Sequence, residues 1–442
     1  MSVKLLFFMI LITVFSSCNK KHIVDENRTV YIKKIKKGHY ELVKNNKPFY
    51  IRGAAGKSYF KELSKIGGNT IRVYDTINLG KVLNNASEAN LSVIVDLPIP
   101  RFHEEYNFYT NPISRDTLIT NIKRTIKKYK DHPSLLMWML GNEIEYPYGN
   151  IDKNFVKTFN ELIETIRKID PNHPISTTID AVEKKRILSI TRNSPGIDLI
   201  SINIFGNIRN LDKELSKISL FWNGPFLISE WGIEGPWTDN LTLWKAPIEP
   251  ASSLKAEQYA ERYNKYVKNT NKRCLGNLIF YWGQKQERTH TWFSLFSEKG
   301  SKSQTIYEME KIWTGKYSEN LPPKLVNVLL DGKDDKKNTI FKPNEIKTAK
   351  VIHNNKSEDS IYIKWEIMPD SWANKRWDVE EKVNPIKDII KETKGNSLQF
   401  LTPNEDGPYR LYVYLYDKHN NFSTVNAPFY VLSHNNEHQN RY

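Results

Sequence analysis

Leu135-Leu136-Met137-Trp138-Met139-Leu140-Gly141-Asn142-Glu143 sets six consecutive apolar residues ahead of a glycine, an amide and a carboxylate. An apolar run that short, bounded by turn formers, reads as a strand. Working outward, comparable runs recur at Phe49-Tyr50-Ile51, Thr70–Tyr74, Ser92–Leu97, Ile175–Ile179, Leu199–Asn203, Phe226–Ser229 and Leu278–Trp282, making eight in all. Glu41-Leu42-Val43 and Phe49-Tyr50-Ile51 flank the turn signal Asn45-Asn46-Lys47-Pro48, so a hairpin leads into the first run. Between the runs lie amphipathic stretches with apolar residues three and four apart, clearest at Lys57–Ile66, Thr117–Tyr129, Asn154–Ile169 and Ala256–Val267. Gly67-Gly68 stops the first of these helices. Strands alternating with helices predict a parallel sheet. Eight repeats within residues 39–320 predict an α/β fold, a closed (β/α)8 barrel. An open doubly wound sheet is disfavoured, because no Gly-x-Gly-x-x-Gly opens a helix.

The pattern changes after the last helical stretch, Gln304–Trp313, with Pro322-Pro323 at the boundary. Ser360–Glu366, Ser397–Leu401, Tyr409–Tyr416 and Pro428–Leu432 read as strands, and Asp417–Asn421 as a turn. Residues 323–434 are therefore expected to form a small all-β, immunoglobulin-like sandwich. Its Trp365, Trp372 and Trp377 are read as core residues in preference to a sugar platform. Residues 435–442, rich in His, Asn and Glu, read as a disordered tail.

Residues 1–17 read as a signal peptide, with Lys4 before the apolar run Leu5–Phe15, which is too short to span a bilayer. Ser16-Ser17-Cys18 resembles the lipobox of bacterial lipoproteins, which implies acylation of Cys18 and a lipid anchor in the cell envelope. Residues 18–38 are expected to be a tether. The other cysteine, Cys274, adjoins an apolar run and reads as a buried structural thiol, so no disulfide framework is expected. The net charge is +15, but the lysines are dispersed beside glutamates and no nucleic-acid-binding motif occurs, so nucleic acid is not an expected partner. No metal or cofactor is expected either, since His103 has no second His or Cys at zinc spacing. The oligomeric state is left open.

Active sites of such barrels lie at the carboxyl ends of the strands. Glu143 follows the fourth run and Glu230 the seventh, so two carboxylates face each other across one mouth. Opposed carboxylates suit glycoside hydrolysis, in which one protonates the leaving oxygen and the other attacks the anomeric carbon or stabilises charge there.

At this point a resemblance enters. His132 to Glu143 closely resembles the acid/base motif of glycoside hydrolase family 2 and its relatives in clan A, and Gly224 to Gly232 resembles the nucleophile strand of that clan. Gly68 to Asp75 resembles its second strand and is close to the β-1,3-glucan-active families 17 and 72. Gly276 to Trp282 resembles its eighth strand, which presents a tryptophan to the sugar. The resemblance covers residues 40–315. It implies that Glu143 is the acid/base, with a raised pKa, and that Glu230 is an ionised nucleophile beside the cation Arg72. Asn142 would donate to the sugar 2-hydroxyl, and Trp282 would form the floor under the reacting sugar. One departure stands out: Phe205 occupies the position after strand six where the clan often has a tyrosine bonded to the nucleophile. Asn203 either compensates in part for the missing hydroxyl or has a structural role. Tyr74, Asp75, His103, Glu145 and Gln284 lie at or just beyond strand ends and are further cleft candidates. The loop Arg288–Phe293 contacts substrate or packs under its neighbours. The expected activity is that of a retaining β-glycosidase on a poly- or oligosaccharide, with β-glucan one candidate. A transglycosylase with the same residues, or a non-catalytic glycan-binding lipoprotein, is the alternative.

Overall fold

The computed structural model describes residues 28–433 apart from 102–105, 150–151, 239, 269, 335, 355–360 and 371–382. The signal segment, Cys18, His103, Trp372, Trp377 and residues 435–442 therefore lie outside the described residues. Among the described residues no helix is long and apolar enough to cross a membrane.

The first element is an antiparallel sheet of β1 (Val30–Lys36), β2 (His39–Lys44) and β3 (Lys47–Pro48). The expectation of a tether as far as residue 38 is thus corrected: Val30 is fully buried and its N–H donates to the Asn172 carbonyl at 3.2 Å. Lys33, Lys34 and Lys36 hide this strand in the sequence, since they read as a solvated run. Val30 and Leu42 pack with Leu136, Met139, Leu227 and Leu278, so the hairpin closes the amino-terminal end of the barrel.

Eight parallel strands follow: β4 (Ile51–Ala55), β5 (Thr70–Val73), β6 (Ser92–Leu97), β7 (Leu135–Leu140), β8 (Ile175–Ile179), β9 (Leu199–Asn203), β10 (Phe226–Trp231) and β11 (Cys274–Phe280). They close into a barrel, with β11 pairing back to β4 from Gly276–Ile51 to Phe280–Ala55. The first barrel strand is Ile51-Arg52-Gly53-Ala54-Ala55, later than the apolar run at 49–51 suggests. Its small residues are needed: a Cβ on Gly53 would lie 1.7 Å from the Thr70 carbonyl oxygen. On β7 the register slips at Leu136, a bulge that puts both Leu136 and Met137 in the barrel interior while Trp138 packs outward.

Helices cover the ring, among them α1 (Phe60–Lys65), α2 (Leu79–Glu88), α3 (Pro112–Tyr129) and α4 (Lys153–Ile169). The Asn111 side chain caps α3 by accepting from the N–H groups of Ile113 and Ser114, with Pro112 in the first turn. Asp152 caps α4, whose buried Phe155, Phe159, Leu162 and Ile166 recur at helical spacing.

The second layer pair begins at β12 (Leu325–Leu330) and continues through β13 (Ile340–Phe341), β14 (Ile346–His353), β15 (Ile361–Pro369), β16 (Ile390–Lys394), β17 (Ser397–Leu401), β18 (Gly407–Asp417) and β19 (Phe422–Val431). They form two four-stranded sheets, β12-β14-β17-β16 and β13-β19-β18-β15. Trp365 is buried in the core between them. A buried polar cluster fastens the sandwich to the barrel. Arg410 donates to Asp370 at 2.7 Å, Asn426 at 2.8 Å and the Pro247 carbonyl at 2.8 Å. Asn426 in turn donates to Glu249 at 2.6 Å, and Lys255 pairs with the same carboxylate.

Candidate active site

The site assembles around one guanidinium. Arg72 sits near the end of β5, fully buried, where its neighbour β6 supplies Asp96. Nε and Nη2 of Arg72 donate to the two Asp96 carboxylate oxygens at 3.0 and 2.6 Å. That fork fixes the plane of the guanidinium. Its remaining N–H bonds then reach across the mouth, to Glu230 Oε1 at 2.9 Å, Asn203 Oδ1 at 3.2 Å and Asn142 Oδ1 at 2.6 Å. Asp96 was not singled out from the sequence. A carboxylate within the fully buried strand Ser-Val-Ile-Val-Asp-Leu is the signal that could have found it.

Asn203, at the end of β9, bridges the two glutamates through this cation. Its Nδ2 donates to Glu143 Oε1 at 2.7 Å, while its Oδ1 accepts from Arg72 and, at 2.8 Å, from the Ser229 hydroxyl. Glu143 follows a turn in which Gly141 has φ 76°, and Glu143 itself has φ 51°. A non-glycine residue there is held in an uncommon left-handed conformation, which functional sites tolerate when surrounding contacts enforce it. Arg101 Nη2 lies 3.8 Å from Glu143 Oε2.

Tyr74 resolves the departure at Phe205. Its hydroxyl donates to Glu230 Oε1 at 2.8 Å, and the Arg72 guanidinium stacks on its ring at 4.6 Å. The nucleophile candidate thus has a tyrosine partner, placed on β5's end and not after β9. Phe205 instead packs edge-on against Trp237 and Phe280, each at 5.5 Å. These residues line a cleft of about 480 Å³ that also contains Glu143, Glu230, Lys285 and Glu287. Lys285 pairs with Glu287 at 2.6 Å.

Burial pushes the Glu143 carboxyl above the ordinary carboxylate range, opposed by the Asn203 hydrogen bond. Burial pushes Glu230 up to about 8, opposed by Arg72 and by the Tyr74 hydroxyl, while the Glu143 charge adds to the rise. Two buried carboxyls in one cleft hold protons as a pair. Within the pair, two donors, one of them cationic, converge on Glu230 Oε1, whereas Glu143 Oε1 accepts from a neutral amide. That asymmetry favours the proton on Glu143 and the charge on Glu230.

Arg72, Tyr74, Asn142, Glu143, Asn203, Phe205 and Glu230 thus come together. Trp282 does not line the cleft. It is fully buried, donates from Nε1 to the Tyr59 carbonyl at 3.2 Å and meets Phe296 edge-on. β11 ends at Phe280, and it is Phe280 that faces the cleft. Gln284 faces a different cavity, at the sandwich. Asp75 lies at the rim, accepting from the Ile77 N–H at 2.8 Å and pairing with Lys57 at 3.5 Å. The loop Arg288–Phe293 stays out of the catalytic cleft: Thr289 and Thr291 donate to Glu249 at 2.6 and 3.0 Å, Trp292 donates to the Glu234 carbonyl at 2.9 Å, and His290 and Thr291 line the cavity at the sandwich. Cys274 is buried, which pushes its thiol up to about 12.

Fold and site together define a (β/α)8 barrel with a two-glutamate centre at the carboxyl ends of its fourth and seventh strands. Residues 75–241 match the family model described as "Glycosyl hydrolases family 2, TIM barrel domain". The chain is similar to the "Putative mannan endo-1,4-beta-mannosidase 4" of Arabidopsis thaliana, 27% identical over 110 residues, which cover 22% of this chain and 27% of that protein. Among solved structures it is similar to a "GH2 beta-galacturonidase from Eisenbergiella tayi", with TM-score 0.51, 17% identity and coverage of 65% of this chain and 55% of that one. A "beta-D-Glucuronidase" of Dictyoglomus thermophilum aligns with TM-score 0.50 and 19% identity, covering 66% and 55%. The chain spans about a quarter of the curated relative's length and about half of these solved relatives. The two structural likenesses concern the fold.

Proposed function

We propose that this protein is a glycoside hydrolase that cleaves a β-glycosidic bond by double displacement, with Glu230 as nucleophile and Glu143 as acid/base. The observation that carries this reading is the buried path Glu143–Asn203–Arg72–Glu230, which ties both carboxyls into one cleft and gives them unequal donors. Protonated Glu143 gives its proton to the leaving oxygen as Glu230 attacks the anomeric carbon. Deprotonated Glu143 then takes a proton from the water that hydrolyses the glycosyl-enzyme. Asn142, its carbonyl oxygen held by Arg72, presents its amide N–H groups as donors for a sugar hydroxyl. Phe280 and Trp237 supply apolar faces for the ring. The family match at 75–241, which includes both glutamates, supports the same reading.

The sugar is sought with a panel of β-mannans, β-glucans, β-galactosides and β-uronides, in which the curated relative's mannan and the solved relatives' uronides are two of the arms. On the cleaved substrate, Glu143→Gln should lose about 10²–10⁴-fold in rate when the leaving group is poor and far less with an activated aryl group. Glu230→Gln should fail on both. Azide should rescue a small residue at 230 with inverted product and one at 143 with retained product. Equal loss on both leaving groups at Glu143 removes its role as acid/base.

We further propose that Cys18 carries a lipid anchor, on the strength of the apolar run ending in Ser16-Ser17-Cys18. Cys18→Ser should move the protein from the detergent phase to the aqueous phase. Identical partitioning of parent and variant rejects the anchor.

A further inference from the structure

The loop that follows β11 faces two ways. Lys285 and Glu287 line the catalytic cleft, whereas Gln284 and Gln286 line a second cavity, of about 340 Å³, between barrel and sandwich. That volume lies within the roughly 300–1,000 Å³ typical of small-molecule sites. The far wall belongs to the sandwich. β18 alternates, with Leu411, Val413 and Leu415 in the sandwich core and Tyr412, Tyr414 and Tyr416 on the opposite face. Tyr414 and Tyr416 are nearly parallel, with centroids 6.4 Å apart at 23°, and Phe422 continues the row 6.4 Å beyond Tyr416 at 24°. All three rings line the cavity.

Opposite these rings stand amides. Gln286 Oε1 is buried and has no hydrogen-bond donor among the described residues. A buried acceptor left without a donor is unfavourable, and the Gln286 amide gains a donor if it turns toward a ligand hydroxyl in the cavity. Of the charged lining residues, Lys364 and Glu366 pair with each other, and Glu298 adds a further carboxylate, which disfavours an anion. Rings for apolar C–H faces, amides for hydroxyls and a compensated charge pair describe a site for an uncharged sugar, not for an anion.

We propose that this cavity is a second glycan-binding subsite, on the opposite side of the loop 284–287 from the catalytic cleft, and that the protein holds a polymeric glycan across barrel and sandwich. The inference rests on reading the catalytic cleft as a sugar site. It adds that the sandwich takes part in binding and that chain length governs affinity.

The test is calorimetric titration of the full chain carrying Glu230→Gln with cellohexaose, mannohexaose and laminarihexaose, and with the matching disaccharides. At least one hexasaccharide should bind about tenfold or more tightly than its disaccharide. Tyr416→Ala in the same background should abolish that gain, and Tyr416→Phe should keep it, because the ring and not the hydroxyl forms the wall. Hydrogen exchange on the chain with Tyr416 intact should show hexasaccharide-dependent protection at residues 284–290 and 414–422, and it decides the question if Tyr416→Ala does not fold. Equal affinity for long and short sugars, no sugar binding, or protection confined to the catalytic cleft overturns the subsite. Turnover by the parent without a chain-length gain rejects the subsite alone. A chain-length gain without turnover by the parent rejects the catalytic reading alone.

Discussion

The Tyr74 hydroxyl donates to Glu230 Oε1 at 2.8 Å, although the two residues belong to the second and seventh strands of the ring. The same oxygen accepts from Arg72 at 2.9 Å, two residues before Tyr74 in the chain. One segment therefore delivers both donors that hold the candidate nucleophile.

This makes Tyr74→Phe informative. A hydrogen bond to a charged group contributes about 1.5–3 kcal/mol. Each ~1.4 kcal/mol is a factor of ten in rate. Tyr74→Phe should thus lower kcat/KM by about 10- to 100-fold without unfolding the protein. Adding Phe205→Tyr to that variant should restore part of the loss, if a hydroxyl can approach the nucleophile from the end of β9. A Tyr74→Phe enzyme as fast as the parent would falsify the positioning role.

Glu230 has a consequence for stability against pH. It shares a proton with Glu143 as a buried pair, both carboxyls raised by burial and Glu230 up to about 8 from the ordinary 4.5, so the pair keeps its proton to higher pH than free carboxyls do. Between those limits the folded state binds more protons than the unfolded one, so stability falls as pH rises. The contribution is fully present below about pH 4.5 and lost as pH passes through about 8. Glu230→Gln cannot ionise. Its Tm should rise relative to the parent's across that window, as measured by thermal unfolding at both ends. A constant difference in Tm refutes the assignment. In the parent, kcat/KM should be bell-shaped, with both limbs displaced upward from ordinary carboxylate values, because each carboxyl is raised.

Arg410 fastens the two domains. It is fully buried and satisfies Asp370, Asn426 and the Pro247 carbonyl together. Arg410→Ala leaves the Asp370 carboxylate buried without its cation, which typically costs about 3–5 kcal/mol. Urea unfolding should show that loss. The double variant Arg410→Met with Asp370→Leu should recover most of it, since no buried charge is then stranded. If Arg410→Ala unfolds at the parent's midpoint, the cluster does not hold the domains together.

The barrel was legible in the chain because its strands are buried on both faces. Leu135–Leu140 and Phe226–Ile228 are apolar throughout, and such runs are visible without knowing their neighbours. The carboxylates that follow them, Glu143 and Glu230, inherit their place from the strands. Ile51–Ala55 escaped notice because close strand approach requires Gly53 and favours small residues over apolar bulk. Val30–Lys36 escaped because only its first residues are buried, and the lysine-rich remainder is exposed. What only the tertiary structure decided were the directions of side chains beyond the regular strands. Trp282 and Phe280 are two residues apart, yet the first points into packing and the second into the cleft. The turn after β11 sets that outcome, and no local pattern encodes it. Asp96 orients Arg72, and Tyr74 replaces a hydroxyl that Phe205 lacks, through hydrogen bonds between distant strands. Apolar periodicity is a property of one segment and can be read from it. A hydrogen-bond network exists only once barrel closure brings its members within about 3 Å of each other.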